Sequence, residues 1–151
     1  MEYADNHNSI SLAARSFAGE SPDPAQLAPL SLAYMGDTVY DLFVRNMLLS
    51  TTTLTVHGLH ERAAKLVCAK AQAEAFRRIE PMLSEEELAV FRRGRNSHIG
   101  TVPKSATIMD YRTATGLEAV MGFLYLSGRD GRIAELMAAA LSLPSLGDND
   151  Q

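Results

Sequence analysis

The chain has a single cysteine and no tryptophan in 151 residues. With Cys68 alone, no intrachain disulfide can form, which fits a reducing compartment; a cytoplasmic protein is expected. No run of about 18 apolar residues occurs, so no membrane span is expected. The opening Met1-Glu-Tyr-Ala-Asp5 has neither the basic nor the apolar region of a signal peptide. Excess positive charge is also lacking. The net charge of −4 argues against an unspecific coat for nucleic acid, and makes the distribution of charge more informative than its total. No segment alternates apolar and polar residues for long, so strands are not expected.

What is present is helical periodicity, read as one all-α domain of five to seven helices. Residues 1–22 form a weakly patterned arm, expected to be flexible, and residues 144–151 a polar, acidic, disordered tail. The domain between them, 23–143, opens with Asp23 as N-cap of a short helix that has Pro24 at its first position. Pro29 then starts a central helix reaching about Leu49, with Leu32, Met35, Val39, Leu42 and Phe43 on a buried face. Leu54 to Glu80 is helical with a bend near Gly58, and Pro81 ends it. Ser84-Glu-Glu-Glu87 is a capping box, and the helix behind it turns basic at Arg92, Arg93 and Arg95. A loop from Asn96 to Thr107 leads to a helix over Ile108–Leu126, stopped by Gly128; Ile133–Leu143 is the last.

Two acids stand in otherwise apolar helices. Asp37 follows Gly36 in the central helix, and Glu118 lies between Gly116 and Gly122. Burying an unpaired carboxylate costs several kcal/mol, on the order of an uncompensated interior charge. Glycine in mid-helix costs roughly 1 kcal/mol against alanine and suits a second backbone passing close by. If the two helices cross at their glycines, the acids converge, and two carboxylates held together call for a shared proton or a divalent cation. Oxygen ligands favour Mg²⁺ or Mn²⁺ over zinc. The plainer alternative pairs each acid with a base, Asp37 with Arg112 for example.

These residues resemble a known family. Leu32-Ala-Tyr-Met-Gly-Asp-Thr-Val-Tyr40 is similar to the ribonuclease III signature, and Leu117-Glu-Ala-Val-Met-Gly-Phe-Leu-Tyr-Leu126 to that family's second acidic motif. Leu59-His-Glu-Arg-Ala63, Ala69-Lys-Ala-Gln-Ala73, Arg93-Gly-Arg-Asn96 and Tyr111-Arg-Thr-Ala-Thr-Gly116 look like its short Mini-ribonuclease III branch, made of the catalytic domain alone. The resemblance covers about Asp23 to Leu141. It implies a ribonuclease III-like fold and a Mg²⁺-dependent endoribonuclease, with Mn²⁺ as a substitute, that cuts double-stranded RNA to leave 5′-phosphate and 3′-hydroxyl ends. It implies Asp37 and Glu118 as catalytic, metal-holding acids, a homodimer, and maturation of 23S ribosomal RNA precursor, with a ribosomal protein bound to the substrate as a further partner. Two departures matter. The parent family has an acid four residues before the Asp, where this chain has Ala33, and another three residues before the Glu, where it has Thr115. They leave more ligand positions to water and favour one metal ion over two. They are also the best argument for an alternative: a catalytically silent RNA-binding or ribosome-associated module. Another all-α metal phosphohydrolase acting on nucleotides would need paired His-Asp ligands, which the sequence lacks.

Charge distribution supports RNA contact independently. Between Phe91 and Arg112 stand Arg92, Arg93, Arg95, Lys104 and Arg112 against one acid, Asp110. With Asn96, these bases are the expected RNA-binding residues. His57 and His60 lack a third ligand and are expected at the surface or in helix packing; Cys68 is expected in the core; Asp41 is expected to pair with Arg45 one turn on, with orientation of the metal's waters as the alternative.

Overall fold

Two long helices form the centre of the molecule, and the sequence makes each for a different reason. Pro29, with its fixed φ, opens α2 (Pro29–Thr51). α6 (Ile108–Leu126) starts at Thr107, whose hydroxyl accepts the Asp110 N–H at 3.0 Å. It ends where Gly128 takes the left-handed conformation, at φ +72°. The two helices cross backbone to backbone. A Cβ on Gly36 would overlap the Glu118 carbonyl, and one on Gly122 would overlap the Leu32 carbonyl. Only glycine permits that approach.

The computed structural model describes residues 9–97 and 107–143. Among them are seven α-helices and no strand, as the periodicity predicts. Besides α2 and α6 these are α1 (Ile10–Ser16), α3 (Val56–Val67), α4 (Ala69–Ile79), α5 (Glu85–Arg95) and α7 (Asp130–Ala140). A 3₁₀ turn over Pro24–Gln26 takes the expected cap from Asp23, and a second, Glu80–Met82, contains Pro81. Helices α4 and α5 pack on α6, and α3 packs on α2. Leu32, Val44, Leu117, Met121, Leu124 and Leu136 are fully buried between them. Phe76 of α4 stacks on Phe91 of α5, with ring centroids 3.8 Å apart, and the Phe91 ring fills the space a side chain at Gly116 would need.

The Ser84–Glu87 capping box is present, and Glu87 does more than cap. Buried, it accepts Nε and Nη2 of Arg132 at 2.9 and 2.8 Å, joining α5 to α7. From the expected arm, Arg15 of α1 reaches the Tyr125 carbonyl and Asp130. Residues 1–8, and the tail over 144–151, lie outside the described residues.

Several expectations change. The break in the second helical region falls at Cys68, where ψ is 158°, and Gly58 sits unbent in the first turn of α3. The break puts Cys68 at the surface, not in the core. α2 runs two residues past Leu49, and α7 starts three residues earlier than expected, at Asp130, and ends at Ala140. Leu42, expected inside, is exposed.

Candidate active site

The crossing of α2 and α6 sets the site. Because Gly36 lies on the Glu118 backbone, the residue after it, Asp37, stands beside Glu118. Asp37 is exposed, which corrects the expectation of a buried acid; the helix puts it where the apolar face gives way to water. Glu118 is half-buried among the otherwise buried residues of α6. Its carboxyl is pushed up to about 7, first by loss of hydration and then by the negative charge of Asp37, while the N–H of Gln72 pulls the other way. Neither acid forms an ion pair among the described residues; Arg112 is exposed and does not reach Asp37.

Gln72 is the residue the sequence did not disclose. It is 1% exposed, and its amide nitrogen donates to Glu118 Oε1 at 3.1 Å and to the Val67 carbonyl at 3.2 Å. A buried glutamine in an alanine-rich helix was the available signal. Its own Oε1 has no partner among the described residues, and neither has the buried hydroxyl of Tyr40. The Tyr40 hydroxyl is pushed up to about 12, first by burial, with Arg78 pulling it down and the charge of Glu118 adding to the rise.

The two positions that depart from the parent motif hold no hidden ligand. Ala33 is buried, and Thr115 spends its hydroxyl on the Tyr111 carbonyl at 3.0 Å. No group of three or more His, Cys, Asp or Glu gathers anywhere among the described residues. His57 is at the surface against Glu61, His60 is exposed, and Asp41 pairs with Arg45 at 2.9 Å, as expected.

The basic residues gather at one end of α5. Gly94 packs against Gly116 and Ala119, which sets the last turn of α5 on the turn of α6 that carries Glu118. Arg92, Arg93 and Asn96 are exposed there. Arg95 lies over the Phe91 ring at 5.6 Å and donates Nε to the Asn96 side chain at 3.1 Å. Arg112 is exposed on α6, about 9 Å along the axis from Glu118 at 1.5 Å per residue. Lys104 lies outside the described residues.

Comparison with known proteins gives the family and the fold. The Ribonuclease III domain family matches residues 30–129. Mini-ribonuclease 3 of Clostridium tetani is 44% identical over 131 residues, 84% of this chain and 87% of that one. Mini-ribonuclease 3 of Brevibacillus brevis is 45% identical over 121 residues, covering 80% and 90%. A crystal structure of a Fusobacterium nucleatum protein superposes with a TM-score of 0.73 at 30% identity, over 81% of this chain and 98% of the other. The shared stretch takes in α2, α6 and the basic end of α5, and the chain belongs to the ribonuclease III family, in its Mini-ribonuclease 3 branch.

Proposed function

We propose that the protein is a divalent-metal-dependent endoribonuclease that cleaves double-stranded RNA, with Asp37 and Glu118 as its metal-holding acids. The observation that carries this is the acid pair itself. The glycine crossing brings Asp37 near enough to Glu118 for its charge to raise the Glu118 carboxyl, and no cationic side chain among the described residues neutralises either acid. The donors fit a hard cation. All are oxygen, and Glu118, with its raised carboxyl, gains from a positive charge nearby. Tyr40 Oη and Gln72 Oε1 around Glu118 are buried polar atoms that a hydrated ion's water would satisfy. Bound there, Mg²⁺ or Mn²⁺ supplies an acidified water and stabilises charge on the scissile phosphate.

The chain's own residues divide the remaining work. Asp37, facing solvent, is the acid that approaching RNA meets first; Glu118 anchors from the interior side. Ala33 and Thr115 contribute no carboxylate, so one ion with several waters fits this site better than two. Arg92, Arg93, Arg95 and Arg112 engage backbone phosphates, and Asn96 holds the Arg95 side chain in place. Lys104 belongs to the same basic segment. The products carry 5′-phosphate and 3′-hydroxyl ends, and the cellular substrate is 23S ribosomal RNA precursor, presented with a bound ribosomal protein. A silent RNA-binding domain would have no use for an unneutralised acid pair at its centre.

The test is incubation with a long RNA duplex and Mg²⁺. Cleavage is expected with Mg²⁺ and none with chelator. Asp37→Asn keeps the side-chain shape, loses the charge that holds the cation, and is expected to lower the rate by at least about 10³-fold while the melting temperature stays within a few degrees. Cleavage by Asp37→Asn near the parent rate would overturn the assignment.

A further inference from the structure

The amide nitrogen of Gln72 is held by two acceptors, which fixes the orientation of the side chain. The break between α3 and α4 at Cys68 leaves the Val67 carbonyl at a helix end, without an intrahelical partner. One N–H of Gln72 satisfies that carbonyl at 3.2 Å, and the other reaches Glu118 Oε1 at 3.1 Å. Turning the amide over would set its oxygen against two acceptors, so the nitrogen side must face the glutamate. Glu118 Oε1 is therefore held as an acceptor, and its second oxygen is left for another partner. This orientation costs something elsewhere: Gln72 Oε1 is buried with no partner among the described residues, a loss of about 1–3 kcal/mol. Methionine has a similar volume and no polar atom of its own to strand, but it would leave the Val67 carbonyl and Glu118 Oε1 without this donor.

We propose that Gln72 is a positioning residue for the metal: it locks Glu118 in the rotamer and the acceptor state that bind the cation, using the helix break at Cys68 as its anchor. The inference rests on the reading of Glu118 as a metal ligand. Partners of metal-binding carboxylates are worth about 10- to 100-fold in metal affinity. A residue serving packing alone would change stability and leave metal affinity untouched.

The experiment is Mn²⁺ binding followed by electron paramagnetic resonance, without RNA, for the parent, Glu118→Gln, Gln72→Met and Gln72→Glu, each with its melting temperature. The parent is expected to bind one Mn²⁺, and Glu118→Gln to lose it. Gln72→Met is expected to bind about 10- to 100-fold more weakly. Gln72→Glu, which keeps the shape but replaces the donor with an acceptor, is expected to bind more weakly than the parent. In duplex cleavage, Gln72→Met is expected to need correspondingly more Mg²⁺ for half-maximal rate, with most of the rate restored at saturation. Should the variants fail to fold, the parent's Gln72 side-chain amide resonances report directly: a saturable shift with Mg²⁺ is expected. Parent-like Mn²⁺ affinity in Gln72→Met, or no movement of those resonances, overturns the role of Gln72 and leaves the acid pair standing. Failure of the parent to bind Mn²⁺ at all overturns both.

Discussion

Glu87 and Glu118 are both glutamates withdrawn from water, and their neighbours drive them in opposite directions. Glu87 faces Arg132, whose side-chain hydrogen bonds hold its carboxyl below the usual 4.5. Glu118 meets the charge of Asp37 and, among the described residues, no base; burial and that charge raise its carboxyl. The first arrangement supports the fold; the second stores unfavourable charge that a ligand can relieve. For Glu87 the folded value is depressed, so its contribution is full above pH 4.5 and fades as pH falls through the lowered folded value. Glu87→Gln is expected to cost about 3 kcal/mol at pH 7, the scale for breaking a buried pair. The gap from the parent should narrow towards pH 3, as read from urea midpoints across that range. A gap constant with pH would show that packing, not charge, holds the position. The Ser84 box that involves Glu87 was legible because capping is local. Its bond to Arg132, 45 residues away, was not, and neither was the Gln72–Glu118 bond, 46 residues apart. Nothing short-range in the chain encodes either. The apolar neighbours of Asp37 predict a buried acid, but an apolar segment still has an exposed side once it is a helix.

At the scale of the elements, two glycines decide how closely α2 and α6 approach, and so whether the acids meet. Gly36→Ala puts a methyl group on the Glu118 carbonyl and within 2.9 Å of the Gly122 nitrogen. Overpacking against backbone is expected to cost about 3 kcal/mol, a fall of about 6–12 °C in melting temperature for a domain of this size. Gly131→Ala is the control. Its added methyl group meets nothing within 4 Å in the first turn of α7, and it is expected to be neutral or stabilising by up to about 1 kcal/mol. A Gly36→Ala protein melting with the parent would refute the tight crossing. The bounds of α6 were readable because Thr107 and Gly128 mark its ends with local chemistry. Neither proline nor glycine marks the α3–α4 break at Cys68, so nothing local in the sequence places it. Gly58, which carries the conventional signal, sits in an ordinary helical turn.

At the scale of the whole molecule, one Asp37/Glu118 centre acting as proposed would address one phosphodiester, whereas an RNA duplex offers two antiparallel strands. We propose a homodimer: two copies about a two-fold axis would present two centres in the same antiparallel relation as the strands. The supporting surface differs from the one the sequence suggested. In the sequence, Tyr34, Val39, Tyr40, Phe43 and Met47 exceed the apolar residues that one core-facing side of the central helix requires. In the structure Val39 and Tyr40 are core residues and Phe43 and Met47 pack partly buried against the core, so four of the five have an internal use. Tyr34 remains, 83% exposed, and the structure adds Leu30, Leu42 and Leu49 on the same side of α2, at 44%, 57% and 69%. They run past Asp37 along one helix, so an interface built on them would bring the two centres near the axis. A row of exposed apolar side chains on a central helix gains about 25 cal/mol for each Å² covered. Light scattering at micromolar concentration without RNA is expected to give a mass near twice the 16.4 kDa of the chain. Leu42→Glu, which puts a charge in the middle of the row and leaves the core untouched, is expected to shift that mass toward a single chain. A parent protein that scatters as one chain would remove the dimer, and a Leu42→Glu protein that stays double would move the interface to another face.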